Sequence, residues 1–325
     1  MTDTTTGRTV ALPDVTLHVH EAGEGPPVIL AHGFPELGYS WRHQIPALAA
    51  AGYHVLAPDQ RGYGRSTRPD ALEDYDIVHL TDDLVALVDD LGEERAVFVG
   101  HDWGSNVVWA LAQLHPDRVA GVVGMSVPFL TRPAFPPIQL LRQLLGDAFF
   151  YILYFQEPGV ADAELGSRPA TVLRRMLAGA IVGEDAPLDP SDMLADDGRG
   201  FVDRFPEPEA LPDWLTQAEL DHYVEEFTRT GFTGGLNWYR NLDRNWELTE
   251  ALAGGHVTVP SLFIGGALDP VLVMTPPAVM DGFLDDHRGT VLVEGAGHWV
   301  QQEKPAEVNA ALLGFLADVR PAPTA

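Results

Sequence analysis

A chain of 325 residues, 46% of them hydrophobic, exceeds one minimal domain on the usual scale of ~100–200 residues, so one large domain carrying an insertion, or two domains, is expected. The formal net charge of −27 opposes binding to nucleic acid or to an anionic membrane, which both recruit a basic stripe. The absence of cysteine excludes disulfides, thiolate catalysis and cysteine-ligated zinc.

Lys304 is the single lysine, which makes a lysine nucleophile improbable. No run of about 18 apolar residues and no secretory leader is read in the sequence, so a soluble, cytoplasmic protein is expected.

In chain order, the first short apolar run is Val28-Ile29-Leu30-Ala31, of strand length and composition. It leads into His32-Gly33-Phe34-Pro35, a loop position suited to supplying a backbone N–H to an oxyanion. Phe34 is the expected donor, and His32 is assigned a structural hydrogen-bonding role. A second strand is expected over His54-Val55-Leu56-Ala57. A helix is expected from Thr81 to Leu91, with Leu84, Leu87, Val88 and Leu91 on one face.

The strand Ala96-Val97-Phe98-Val99 then enters Gly100-His101-Asp102-Trp103-Gly104, ahead of a helix from Ser105 to His115. Strand, glycine-flanked residue and helix form the pattern of a nucleophile elbow with Asp in place of Ser. Glycines at 100 and 104 let strand and helix approach, lifting the central side chain above the sheet. The helix N-terminus favours an anion there, and Trp103 N–H is the second expected oxyanion donor. An Asp in this position is equally a helix N-cap.

After the strand Val119 to Val123 the strand signal stops. From about Phe129 to Arg244 the pattern is helical, over Ile138 to Leu153, Ala170 to Ile181 and Thr216 to Arg229. The stretch Gly183 to Asp213, rich in acids and prolines, reads as solvated surface. Strands resume at Ser261-Leu262-Phe263-Ile264, followed by Asp269 before Pro270, and at Thr290-Val291-Leu292-Val293, followed by His298. Seen alone, Asp269 is an ordinary turn residue and His298 an ordinary loop histidine.

Strands alternating with helices imply an α/β fold with a mostly parallel, doubly wound sheet. The helical stretch reads as a cap inserted into it, giving a core of 1–128 and 245–325 and a cap of 129–244. Nucleophile, acid and histidine occur in that order, each just past a strand, as in α/β-hydrolases and unlike the chymotrypsin or subtilisin arrangements. The twelve histidines include no H-x-x-x-H pair on a helix beside a Glu, so neither metal nor organic cofactor is expected.

These motifs, together with Tyr39-Ser40-Trp41-Arg42, Asp59-Gln60-Arg61-Gly62-Tyr63-Gly64 and Gly297-His298-Trp299, resemble the epoxide hydrolases of the α/β-hydrolase superfamily. The likeness is to the hydrolase domain of soluble epoxide hydrolase and to its bacterial relatives. Tyr151-Ile152-Leu153-Tyr154-Phe155-Gln156 and Leu236-Asn237-Trp238-Tyr239-Arg240 look like the family segments that point two tyrosines at the nucleophile. The resemblance implies that Tyr151 and Tyr239 bond the epoxide oxygen, and Tyr154 reads as packing.

It further implies a hydroxyalkyl ester on Asp102, hydrolysed by a water that the His298–Asp269 pair activates. Phe34 and Trp103 amides would hold the oxyanion. The pocket for a small hydrophobic epoxide would be lined by Phe34, Pro35, Trp103, Ile152 and Trp299, with Ile152 standing where relatives carry a polar residue. A homodimer through the cap is compatible with such folds. A haloalkane or haloacid dehalogenase uses the same Asp, His and acid, with Trp103 as half of a halide cradle. A ligand-binding protein retaining the fold is the remaining alternative.

Overall fold

The computed structural model describes residues 6–146, 148–179, 193–195 and 197–319. Its centre is one eight-stranded sheet of β1 (Thr6–Ala11), β2 (Thr16–Ala22), β3 (Pro27–Ala31), β4 (His54–Asp59), β5 (Ala96–His101), β6 (Val119–Met125), β7 (Val257–Gly266) and β8 (Leu284–Val293). The strands lie in the order β1-β2-β4-β3-β5-β6-β7-β8. β2 alone runs against the others.

The six strands read from the sequence are β3 to β8. β1 and β2 were not expected, because β2 alternates buried and half-exposed residues and so offers no continuous apolar run. β8 also begins earlier than its apolar end suggests. Its first half, with Asp285, Asp286 and Arg288, lies mostly exposed along the sheet edge, where charge discourages further strand pairing.

Alternation within the buried strands feeds two cores. Ile29, Leu56, Phe98, Val122 and Phe263 pack on one face, while Val28, Val55, Val97, Val99 and Ile264 pack on the other. Helices α1 (Gln44–Ala50), α2 (Ile77–Asp90) and α3 (Trp103–Leu114) cover the first part of the sheet. α2 starts four residues before the expected Thr81, because the Asp76 carboxylate caps it by accepting from Val78 and His79 N–H, each at 3.1 Å.

Between β6 and β7 the described residues form helices and no strand: α4 (Pro137–Leu145), α5 (Tyr151–Tyr154), α6 (Val160–Ser167), α7 (Pro169–Gly179), α8 (Gln217–Thr230), α9 (Thr233–Arg240) and α10 (Leu242–Leu248). The single helix expected from Ile138 to Leu153 is two, with Gly146 at φ +57° closing α4. α10 runs across the position where the insertion was expected to end. Of the stretch 183–213, residues 183–192 and 196 lie outside those described.

Helices α11 (Pro270–Met274), α12 (Val300–Glu303) and α13 (Pro305–Val319) follow the last strands. The inserted helices are held over the carboxyl ends of the strands by Trp238 Nε1 to Arg61 O at 3.2 Å, Trp299 Nε1 to Met176 O at 3.1 Å and Arg42 Nε to Glu219 at 2.6 Å. Among the described residues no helix is long and apolar enough to cross a membrane.

Candidate active site

Asp102 sits at φ 52°, ψ −118° between β5 and α3, a left-handed backbone that few side chains adopt. Glycine is required on both sides of the turn. A Cβ at Gly100 would strike the carbonyl of Gly104, and one at Gly104 would strike that of Ala31. The Asp102 carboxylate makes no capping bond to α3. Oδ1 instead accepts the Phe34 N–H at 2.8 Å, and Oδ2 stands 3.6 Å from His298 Nε2. Trp103 is the first residue of α3, so its N–H has no partner within the helix.

On its other side, His298 Nδ1 meets Asp269 Oδ1 and Oδ2 at 3.1 and 3.0 Å. Asp269 also caps α11, accepting the Val271 N–H at 2.8 Å, so the turn role and the contact with histidine coexist in one buried side chain. Burial by itself lowers the His298 pKa, but the nearby Asp269 and Asp102 carboxylates outweigh it and hold the imidazole well above its usual range.

Tyr151 begins α5 and Tyr239 lies near the end of α9, their ring centroids 5.9 Å apart. Both line a cavity with Asp102 and His298, among Phe34, Phe150, Met176 and Trp299. Burial first, and the Asp102 charge second, raise both phenols above their ordinary pKa. The Trp103 and Tyr239 rings meet edge to face with centroids 5.1 Å apart. A second cavity, lined by Trp103, Ile152, Trp109 and Phe129, reaches the same Asp102, Tyr151 and Tyr239 from the other side.

Thus Phe34, Trp103, Ile152 and Trp299 line one cavity or the other. Pro35 is buried and lines neither. Tyr154 is turned to Glu164, donating at 2.8 Å. His32 joins two strand ends, with Nδ1–H given to Gly33 O at 2.9 Å and Nε2 accepting the Gln60 N–H at 3.0 Å.

Four further residues shape the site without having been singled out in the sequence. Glu36 is fully buried and accepts from Gly33 N–H, from His101 Nδ1 at 2.6 Å, and from the amides of Gln301 and Gln302. His101 in turn gives Nε2–H to the carbonyl of His298 at 2.8 Å. Glu303 brackets the same histidine, accepting Gly297 N–H at 2.7 Å and Trp299 N–H at 2.9 Å. Gln156 donates to the carbonyls of Ile152 at 2.8 Å and Tyr239 at 3.0 Å, tying α5 to α9.

Residues 26–305 match the family model of the alpha/beta hydrolase fold. The chain is 61% identical over 316 residues, 96% of its own length and 97% of the relative's, to Epoxide hydrolase A of Mycobacterium tuberculosis. The crystal structure of Epoxide Hydrolase A from Mycobacterium thermoresistibile superposes with a TM-score of 0.92 at 60% identity, covering 97% of this chain and 98% of that one. An epoxide hydrolase from an endophytic Streptomyces gives 0.93 at 44% identity, covering 98% and 97%. The elbow at Asp102, the sheet that carries it and these likenesses together assign the chain to the epoxide hydrolases of the α/β-hydrolase fold family.

Proposed function

We propose that the enzyme opens epoxides to vicinal diols through a covalent ester on Asp102. One carboxylate oxygen attacks an epoxide carbon as the strained C–O bond breaks, and the departing oxygen takes a proton from Tyr151 or Tyr239. A phenol suits this step, since it donates to a forming alkoxide and stays protonated at neutral pH. Water then adds to the ester carbonyl while His298, oriented by Asp269, accepts its proton. The N–H groups of Phe34 and Trp103 hold the oxyanion. Its collapse expels the alkyl oxygen, which takes the remaining proton of the added water and leaves as the diol, and the His298 imidazolium proton returns to the tyrosinate.

The observation that carries this reading is the direction of the Asp102 side chain. A capping aspartate turns back to its own helix, whereas this one meets Phe34 N–H and His298 in a cavity walled by two tyrosines. The state of His298 fits a two-step cycle. Esterification removes the Asp102 charge, one of the two that hold the imidazole protonated, so its basicity falls toward the range useful for accepting a proton from water.

The two cavities meeting at Asp102 suit a hydrophobic epoxide substituted on both carbons. The helices between β6 and β7, taken as a cap over 129–244, supply the proton donors, and the core of 1–128 and 245–325 supplies nucleophile and base. Two phenols suit an alkoxide leaving group that must be protonated, which favours an epoxide over a halide.

Mass spectrometry of His298→Gln mixed with styrene oxide tests the ester. An adduct of the intact substrate's mass on the peptide carrying Asp102 is expected, because attack survives and hydrolysis is blocked. An unmodified Asp102, in a folded variant whose parent turns over the same epoxide, would remove the covalent mechanism.

A further inference from the structure

Three side chains outside the catalytic cavities converge on one face of the sheet. In the antiparallel ladder of β2 and β4, His18 lies directly opposite Asp59, and His20 stands two residues further along β2. Residues opposite one another, or two apart on a strand, project to the same side. One ligand atom from each of the three lies within 4.8 Å of the others. None of the three lines either cavity that reaches Asp102.

Asp59 is buried and already oriented. Its Oδ1 accepts the Gly38 N–H at 3.0 Å and its Oδ2 the Arg65 N–H at 3.1 Å, which leaves a lone pair free on each oxygen. The two imidazoles stand edge to face with centroids 5.1 Å apart, and among the described residues no hydrogen bond engages a ring nitrogen of either. By contrast, His32, His54, His79, His101 and His298 each have an acceptor or donor in place. The Arg65 side chain is mostly exposed and faces Glu226 at 3.7 Å, so its charge is shared with another carboxylate.

We propose that His18, His20 and Asp59 bind one divalent late-transition-metal ion, of the zinc class, in a site that ties β2 to the end of β4. Two imidazoles and a carboxylate favour Zn²⁺ and its neighbours over Mg²⁺ or Ca²⁺, which take all-oxygen sets. Ligands at about 2.0–2.1 Å from one ion stand roughly 3.4 Å apart in tetrahedral geometry. Closing the set from within 4.8 Å to that spacing asks for a contraction of about 1.4 Å, with water completing the coordination.

The ion would be structural. It would sit where β2 already joins the loop after Asp59, through His18 N–H to Ser66 Oγ at 2.8 Å and Thr16 N–H to Thr67 Oγ1 at 2.9 Å. Helical spacing does not register this pattern, since H-x-H is the strand counterpart of H-x-x-x-H.

The test is calorimetric titration of untagged, chelator-stripped protein with zinc chloride, with the visible spectrum of the cobalt-substituted form as a second readout. One equivalent is expected to bind and raise Tm. His18→Gln and His20→Gln should each weaken binding by about tenfold or more and cancel the rise in Tm, with epoxide turnover of the metal-free variants equal to that of the metal-free parent. The absence of saturable binding at one equivalent would overturn the site, as would binding that both variants retain.

Discussion

A carboxylate at the start of a helix either caps it or faces outward, and Asp102 faces outward because its backbone lies at φ 52°. That aim places it in one cavity with the phenols of Tyr151 and Tyr239. Replacing either tyrosine by Phe is expected to slow ester formation by roughly 10²-fold, with a larger loss in the double variant. Single-turnover rates with an aromatic epoxide measure this, and an unimpaired double variant would remove the tyrosines from the mechanism.

The histidine carries its own signature. Burial opposes protonation of His298 while Asp269 and Asp102 favour it, and the net shift is upward. Asp102→Asn deletes one of the two favouring charges. The imidazolium should therefore lose its proton at lower pH in the variant than in the parent. Nitrogen NMR of the His298 ring across pH reads that change, and an unmoved or raised titration would contradict the electrostatic account.

At the scale of elements, the site depends on side chains that stitch short segments together. α5 is a four-residue helix that propensity alone would not sustain, and Gln156 binds it to α9 through the carbonyls of Ile152 and Tyr239. Gln156→Leu removes both part-buried hydrogen bonds, a cost of about 1 kcal/mol for each. Loosening two tyrosine-bearing helices should lower kcat more than it raises KM, with a lower Tm. Equal kcat in both proteins would show that the tie does not position the tyrosines.

Legibility followed the same divide. Asp102, Asp269 and His298 could be read because each follows an apolar run at a strand end. Tyr151 and Tyr239 stood out only by likeness to a family, since an aromatic residue in a helical segment is ordinarily packing. Glu36 and Gln302 touch across the fold, and no periodicity links residues so far apart in the chain. β2 went unread because its histidines broke the apolar run. Gly146 ends a helix that apolar periodicity continued.

For the whole molecule, the knot behind the site is the buried pair of Glu36 and His101, joined by Gln301 and Gln302. Burial alone would raise the Glu36 carboxyl, but His101 and the Gly33 N–H hold it down at about 2. A carboxyl depressed by folding adds stability above its unfolded value of about 4.3. That contribution is lost as pH falls from there through about 2, and it amounts to at most about 3 kcal/mol. The parent should therefore lose Tm most steeply between about pH 4 and pH 2, and Glu36→Gln should show a shallower slope over that window. Parallel slopes by calorimetry would place the acid sensitivity elsewhere.

The two oxygens of Asp102 are chemically identical, yet their surroundings divide them: Oδ1 is pinned by the Phe34 amide and Oδ2 faces the histidine. In the proposed cycle the first remains as the ester carbonyl and the second departs inside the diol, replaced from water. The enzyme would then donate one of its own atoms to every product and recover it from solvent. One oxygen of the pair serves as a permanent fixture and the other as a consumable, a distinction no single turnover rate reveals but isotopic composition does.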